Sequence, residues 1–154
     1  MNRNIAIERA DPAHPEMRRL LEAREVYFQA LYPPGSCHYL DIETMRQPSM
    51  RFFSAALDGE SLGCGGVWLH EDYAEIKSVY VDPKAQGLGL AKKLMARIEE
   101  EARAAGMKLA RLETGIHQPE ALGLYFALGY EKRGSFGDYP TDDPNSIFME
   151  KQLA

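Results

Sequence analysis

A mixed α/β fold, one sheet carrying helices on both faces, is the class this chain predicts. Three observations lead there. Short strand-like runs alternate with segments of helical period, in the order β-α-α-β-β-β-α-β-α-β-β. Asp58-Gly59 sits between two strand-like runs and marks a tight hairpin. A strand at 75–81 leads through a glycine-bearing turn into an amphipathic helix at 88–105.

Each element has its own warrant. Residues 4–9 alternate around Ile5 and Ile7 and read as a strand. Asp11-Pro12 reads as the cap and first turn of a helix in which Met17, Leu20, Leu21, Arg24, Phe28 and Leu31 recur at helical spacing. Pro33-Pro34-Gly35 ends it. Residues 35–40 form a loop, and 41–47 a short helix stopped by Pro48. Strands at 51–57 and 61–70 flank the hairpin turn. In the helix at 88–105, Leu90, Leu94, Ile98 and Ala102 share one face, and Gly106 closes it. A strand at 108–114, a helix at 119–128 closed by Gly129, and strands near 130–134 and 146–153 complete the chain.

Composition narrows the function. A chain of 154 residues is expected to form a single domain, 1–154, with an adequate core of its own. A net charge of −5 argues against nucleic acid as a partner, with only Lys84, Lys92 and Lys93 forming a local basic patch. The two cysteines, Cys37 and Cys64, have no metal-ligand spacing and read as reduced thiols. No secretory pattern or long apolar run is visible. The expectation is a soluble, cytoplasmic protein with no membrane partner and no metal.

The most informative stretch is Gln86-Gly87-Leu88-Gly89-Leu90-Ala91. It follows Val79, Tyr80 and Val81 and opens a helix, where free N–H groups and the helix dipole favour an anion. The Gly-x-x-x-x-Gly-Lys-Ser/Thr loop is absent. The Gly-x-Gly-x-x-Gly fingerprint fails because Lys92 stands at its last position. What remains, Gln-x-x-Gly-x-Ala after a strand, resembles the acetyl-CoA pyrophosphate loop of the GCN5-related N-acetyltransferase (GNAT) superfamily. A second block, Gln118-Pro119-Glu120-Ala121-Leu122-Gly123-Leu124-Tyr125 followed by Leu128-Gly129-Tyr130, resembles that superfamily's Asn-x-x-Ala-x-x-Leu-Tyr…Gly-Phe pattern, with Gln118 in place of Asn. The run from Phe136 to Met149 resembles a bacterial small-molecule acetyltransferase subgroup.

The resemblance implies a mostly antiparallel sheet whose fourth and fifth strands splay apart, and acetyl-CoA as cosubstrate. It puts the pantetheine arm on the backbone of Val79, Tyr80 and Val81, the pyrophosphate on residues 86–91, and a cofactor contact on Gln118. It makes Tyr125 the group that meets the departing CoA thiolate, since a phenol of pKa about 10 donates to a thiolate whose conjugate acid lies near 8.5. The alternative for Tyr125 is packing in the core. Glu75 resembles the superfamily's general base; it also reads as a solvated strand-start residue or an ion-pair partner of Lys77 or Arg111. Glu113 is the rival base, or a group that holds the acceptor's amine. Acceptor recognition falls to the segments around Ser36 and His38, suited to a carboxylate, and around Asp138, suited to a cationic amine. The expected activity is direct acetyl transfer to the amine of a small molecule. Two alternatives stand beside it: acetylation of a protein or peptide, and a non-catalytic acyl-CoA-binding regulator. Homodimers are common in the superfamily, though no interface is legible here.

Overall fold

The computed structural model describes residues 4–37 and 39–153. Its elements run β1 (Ile5–Arg9), α1 (Pro15–Leu31), α2 (Ile42–Met45), β2 (Met50–Leu57), β3 (Glu60–Leu69), β4 (Ala74–Val81), α3 (Leu90–Ala104), β5 (Leu109–Gly115), α4 (Pro119–Ala127), β6 (Glu131–Arg133) and β7 (Ser146–Gln152). They form a seven-stranded mixed sheet in the order β1-β2-β3-β4-β5-β7-β6. The β4–β5 pair is parallel and the others are antiparallel.

Two apolar layers hold the helices on opposite faces. On one face, Leu90, Leu94, Ile98 and Ala102 of α3 pack with Phe53, Val67, Ile76 and Leu112 of the sheet, and Tyr125 of α4 joins the same core. On the other face, Met17, Leu20 and Leu21 of α1 and Met45 of α2 cover Met50, Phe52 and Cys64. The β2–β3 turn has Asp58 at φ 50° and Gly59 at φ 88°, the left-handed pair that a two-residue hairpin requires. Glu150 of β7 accepts from Arg111 of β5 at 2.7 Å and from Arg133 of β6 at 2.6 Å, tying the last three strands across the sheet.

Two helix starts differ from the sequence reading. Helix α1 begins at Pro15, capped by His14, whose Nδ1 accepts from the Glu16 N–H at 3.2 Å. Asp11 instead accepts from the Ala13 N–H at 2.9 Å and closes a preceding turn. Helix α3 begins at Leu90 rather than 88, because Gly87 (φ 80°) and Gly89 (φ 90°) are left-handed and cannot belong to the helix.

Candidate active site

Strands β4 and β5 pair only through Ala74↔Ala110, Glu75↔Arg111 and Ile76↔Leu112, and beyond that point they part. A β-bulge against β3 lies next to that point. Gly66 opposes Lys77 and Cys64 opposes Tyr80, so Ser78 and Val79 together face Gly65 alone. Ser78 takes φ 61°, an unusual value for a residue with a Cβ. The bulge sends Ser78 toward Met45 on the α2 face, while Val79 packs against the α3 core.

A groove of about 620 Å³ runs along the opened edge. Val79, Tyr80 and Val81 form one wall, and Gln86, Gly87, Gly89, Leu90 and Ala91 its floor at the start of α3. Helix α4 closes it with Ala121, Leu124 and Tyr125, joined by Gln118 at the helix's N-cap. Leu88 is 40% exposed and its side chain is not part of the lining. Helix α3 has no side-chain cap and no acidic residue in its first turn. Instead Lys92 and Lys93 stand there, against the helix dipole. That placement is unfavourable for a bare helix and favourable around a bound anion.

The groove meets a constricted central cavity of about 50 Å³. Tyr125 and Gln118 line both spaces. Tyr125 is buried, edge-on to Tyr130 at 5.9 Å between ring centres, and burial pushes its phenol up to about 12. Glu113, Lys77, Arg24, Tyr39, Ser36 and Asn145 also line the cavity. Ser146 Oγ donates to Glu113 at 2.8 Å. Ser36 donates to Asp143 at 2.9 Å and accepts from Asn145 at 3.1 Å, which straps the loop after α1 to the segment before β7. Tyr32 forms a further wall, with its hydroxyl accepting from the His117 N–H at 2.9 Å. A Cβ on Gly115 would collide with that hydroxyl, so only glycine fits at the end of β5.

Glu75 is 4% exposed and points toward the α1 face, outside the cavity lining. Its carboxylate accepts from Tyr139 at 2.6 Å, lies 2.9 Å from His70 Nε2, and pairs with Lys77 at 3.4 Å. Lys77 in turn donates to Tyr139 at 2.5 Å. A continuous chain of polar atoms therefore links the cavity, through Lys77 and Tyr139, to Glu75 and the half-exposed His70. Burial lowers the Lys77 pKa against the pull of Glu75.

Asp138 is exposed and lies outside the cavity lining, while its neighbours Phe136 and Tyr139 turn inward. His38 lies outside the described residues. Cys37 lines the cavity, whereas Cys64 is fully buried and its thiol is pushed up to about 12 by that burial. Among the described residues no cluster of His, Cys, Asp and Glu is arranged to hold a metal, and no helix is long and apolar enough to cross a membrane. The sequence reading named Lys77 only as an ion-pair partner of Glu75 and Arg24 only as a member of a helical stripe. Arg24 carried a signal, since it is a charge among the apolar residues of that stripe.

Residues 17–130 match the family model described as Acetyltransferase (GNAT) family. An "IAA acetyltransferase" of Azospirillum brasilense is 40% identical, covering 97% of this chain and 99% of the relative. A crystal structure from Klebsiella pneumoniae, described among the acyl-CoA N-acyltransferases, is 34% identical with a TM-score of 0.82, covering 97% of this chain and 98% of that one. An aminoglycoside 6′-N-acetyltransferase solved with coenzyme A has the same fold, with a TM-score of 0.74 at 18% identity over 97% of both chains.

Proposed function

The chain belongs to the GNAT acetyltransferase family, and from that premise we propose that it transfers an acetyl group from acetyl-CoA to the amine of a small molecule, directly from thioester to nitrogen. The observation that carries this reading is the junction at Tyr125, where a long groove with an anion-favouring end meets a small polar cavity. In this reading the pyrophosphate lies on the N–H groups of residues 86–91, with Lys92 beside them. The pantetheine arm follows the main chain of Val79, Tyr80 and Val81, whose β5-facing side is left unpaired by the parting of β4 and β5 while β3 holds the other side. Gln118 supplies a side-chain amide to the cofactor.

The acceptor amine sits in the cavity, held by Glu113. Its nitrogen attacks the thioester carbon, the C–N bond forms, and the C–S bond breaks as the tetrahedral intermediate collapses. Tyr125 donates a hydrogen bond to the leaving thiolate; its raised pKa keeps it protonated for that purpose. The proton lost by the amine passes to Lys77 as Lys77 gives one to Tyr139 and Tyr139 one to Glu75. Glu75 thus acts as the ultimate base without touching substrate. The strap of Ser36, Asp143 and Asn145 and the small cavity volume favour a compact acceptor over a peptide.

A CoA-release assay against amines, amino acids, peptides and the acceptor named for the Azospirillum relative tests this. Small amines are expected to release CoA and peptides are not. Tyr125→Phe is expected to lower kcat by roughly a hundredfold while leaving acetyl-CoA affinity within twofold. Faster release with peptides, or wild-type turnover in Tyr125→Phe, would overturn it.

A further inference from the structure

We propose that the acceptor carries a carboxylate as well as its amine, and that Arg24 is the residue that receives the carboxylate; this rests on the acetyl-transfer reading above and specifies its substrate class. Arg24 lies on the sheet-facing side of α1, one turn beyond the buried Leu20 and Leu21. Its Nε is sealed from solvent and has no hydrogen-bond partner. Among the described residues no carboxylate approaches it to ion-pair distance, although Lys77 beside the same cavity is matched by Glu75. A buried charged donor without a partner is costly, and a structure that retains one leaves room for a ligand to supply the missing acceptor.

The surroundings of Arg24 fit such a ligand. The guanidinium is covered on its face by Phe28 at 4.5 Å and approached by Tyr39 at 5.7 Å. Stacking uses the face of the group and leaves its edge donors for an anion, the geometry in which arginine grips a carboxylate through two parallel hydrogen bonds. Arg24 lines the central cavity together with Glu113 and Tyr125. One cavity thus offers a cation and an anion of its own. A zwitterionic acceptor matches both in charge, its carboxylate on Arg24 and its ammonium on Glu113, which keeps its bond from Ser146. A plain amine would leave the arginine as it is. The single guanidinium, with Lys77 already engaged, matches one negative charge better than the two of a phosphate-type group.

Matched acceptors separate this from the broader reading. α-Amino acids with small to aromatic side chains are compared with their decarboxylated amines and their carboxamides, for CoA release and, independently, for calorimetric binding to the CoA-saturated protein. The amino acid of the best pair is expected to exceed its amine by roughly thirtyfold or more in kcat/KM and in affinity. Arg24→Gln is expected to bring that ratio close to one by raising the amino acid's KM, with acetyl-CoA affinity and Tm held near wild type, and Arg24→Lys to restore part of the preference. No preference for the carboxylate in either measurement, or a preference that survives Arg24→Gln, would overturn the proposal. Amines that turn over as well as amino acids would overturn it while leaving acetyl transfer intact. Carboxylate-dependent binding without any CoA release would do the reverse.

Discussion

Lys77 is a charge brought indoors by strand alternation, with 9% of its side chain exposed and Tyr139 and Glu75 as its partners. Desolvation lowers its pKa, so it gives up a proton more readily than a surface lysine, while Glu75 pulls the other way. If Lys77 and Tyr139 pass the proton and Glu75 receives it, Glu75→Gln flattens the acidic limb of the kcat/KM profile, and Tyr139→Phe lowers kcat by about tenfold or more without altering acetyl-CoA affinity. Glu113→Gln is expected to raise the acceptor KM and leave the limb in place. A pH-rate series on the three variants checks this; an unchanged limb in Glu75→Gln would remove Glu75 from the proton path. At this scale the sequence was legible for residues inside a local pattern. Tyr125 lies in a recognisable block, and Glu75 opens a recognisable strand. Of the partners of Glu75, Lys77 was legible as an ion-pair candidate two residues along the strand, whereas Tyr139 was not, because it comes from a distant loop and meets Glu75 only when the sheet is assembled. Arg24 was legible as a member of a helical stripe and silent as a binding group, since spacing alone does not reveal a missing partner.

The turn into α3 combines three local features: left-handed glycines at 87 and 89, an uncapped helix start, and lysines where the dipole would favour acids. Gly89→Asp adds a negative charge and a strained Cβ at φ 90°, whereas Gly89→Ala adds only the strain. Acetyl-CoA affinity measured by calorimetry is expected to fall at least tenfold further in the aspartate variant than in the alanine one, about 1.4 kcal/mol. Equal losses would place the pyrophosphate elsewhere. Element boundaries were readable where a single residue decides them, as at the Asp58-Gly59 turn. They slipped where two signals compete. Asp11-Pro12 and His14-Pro15 are both plausible openings of α1, and the second prevails because Asp11 spends its side chain on the turn before it.

Over the whole molecule, the succession of elements followed from periodicity and turn chemistry. Strand adjacency did not. Strand β7 enters between β5 and β6, a pairing between segments far apart in the chain that no local pattern encodes. The separation of β4 from β5 was expected only through resemblance to a family. A one-residue bulge against β3 lies just beyond the point of separation, and there Ser78 carries no sequence mark of the conformation it adopts.

That separation has a consequence for the unliganded protein. A sheet ordinarily has two edges; this one has two more in its interior, where β4 and β5 part and each leaves one side without a neighbouring strand. With the groove empty, that seam is expected to be where a second copy, or a partly unfolded neighbour, adds a strand. Filling the groove would seal the seam. Light scattering at a fixed temperature below the Tm is expected to show self-association that slows as free CoA is raised, in step with groove occupancy. Association indifferent to CoA would locate the sticky surface elsewhere. The opening that makes room for chemistry is, in this light, a colloidal weakness that an occupied groove would mask.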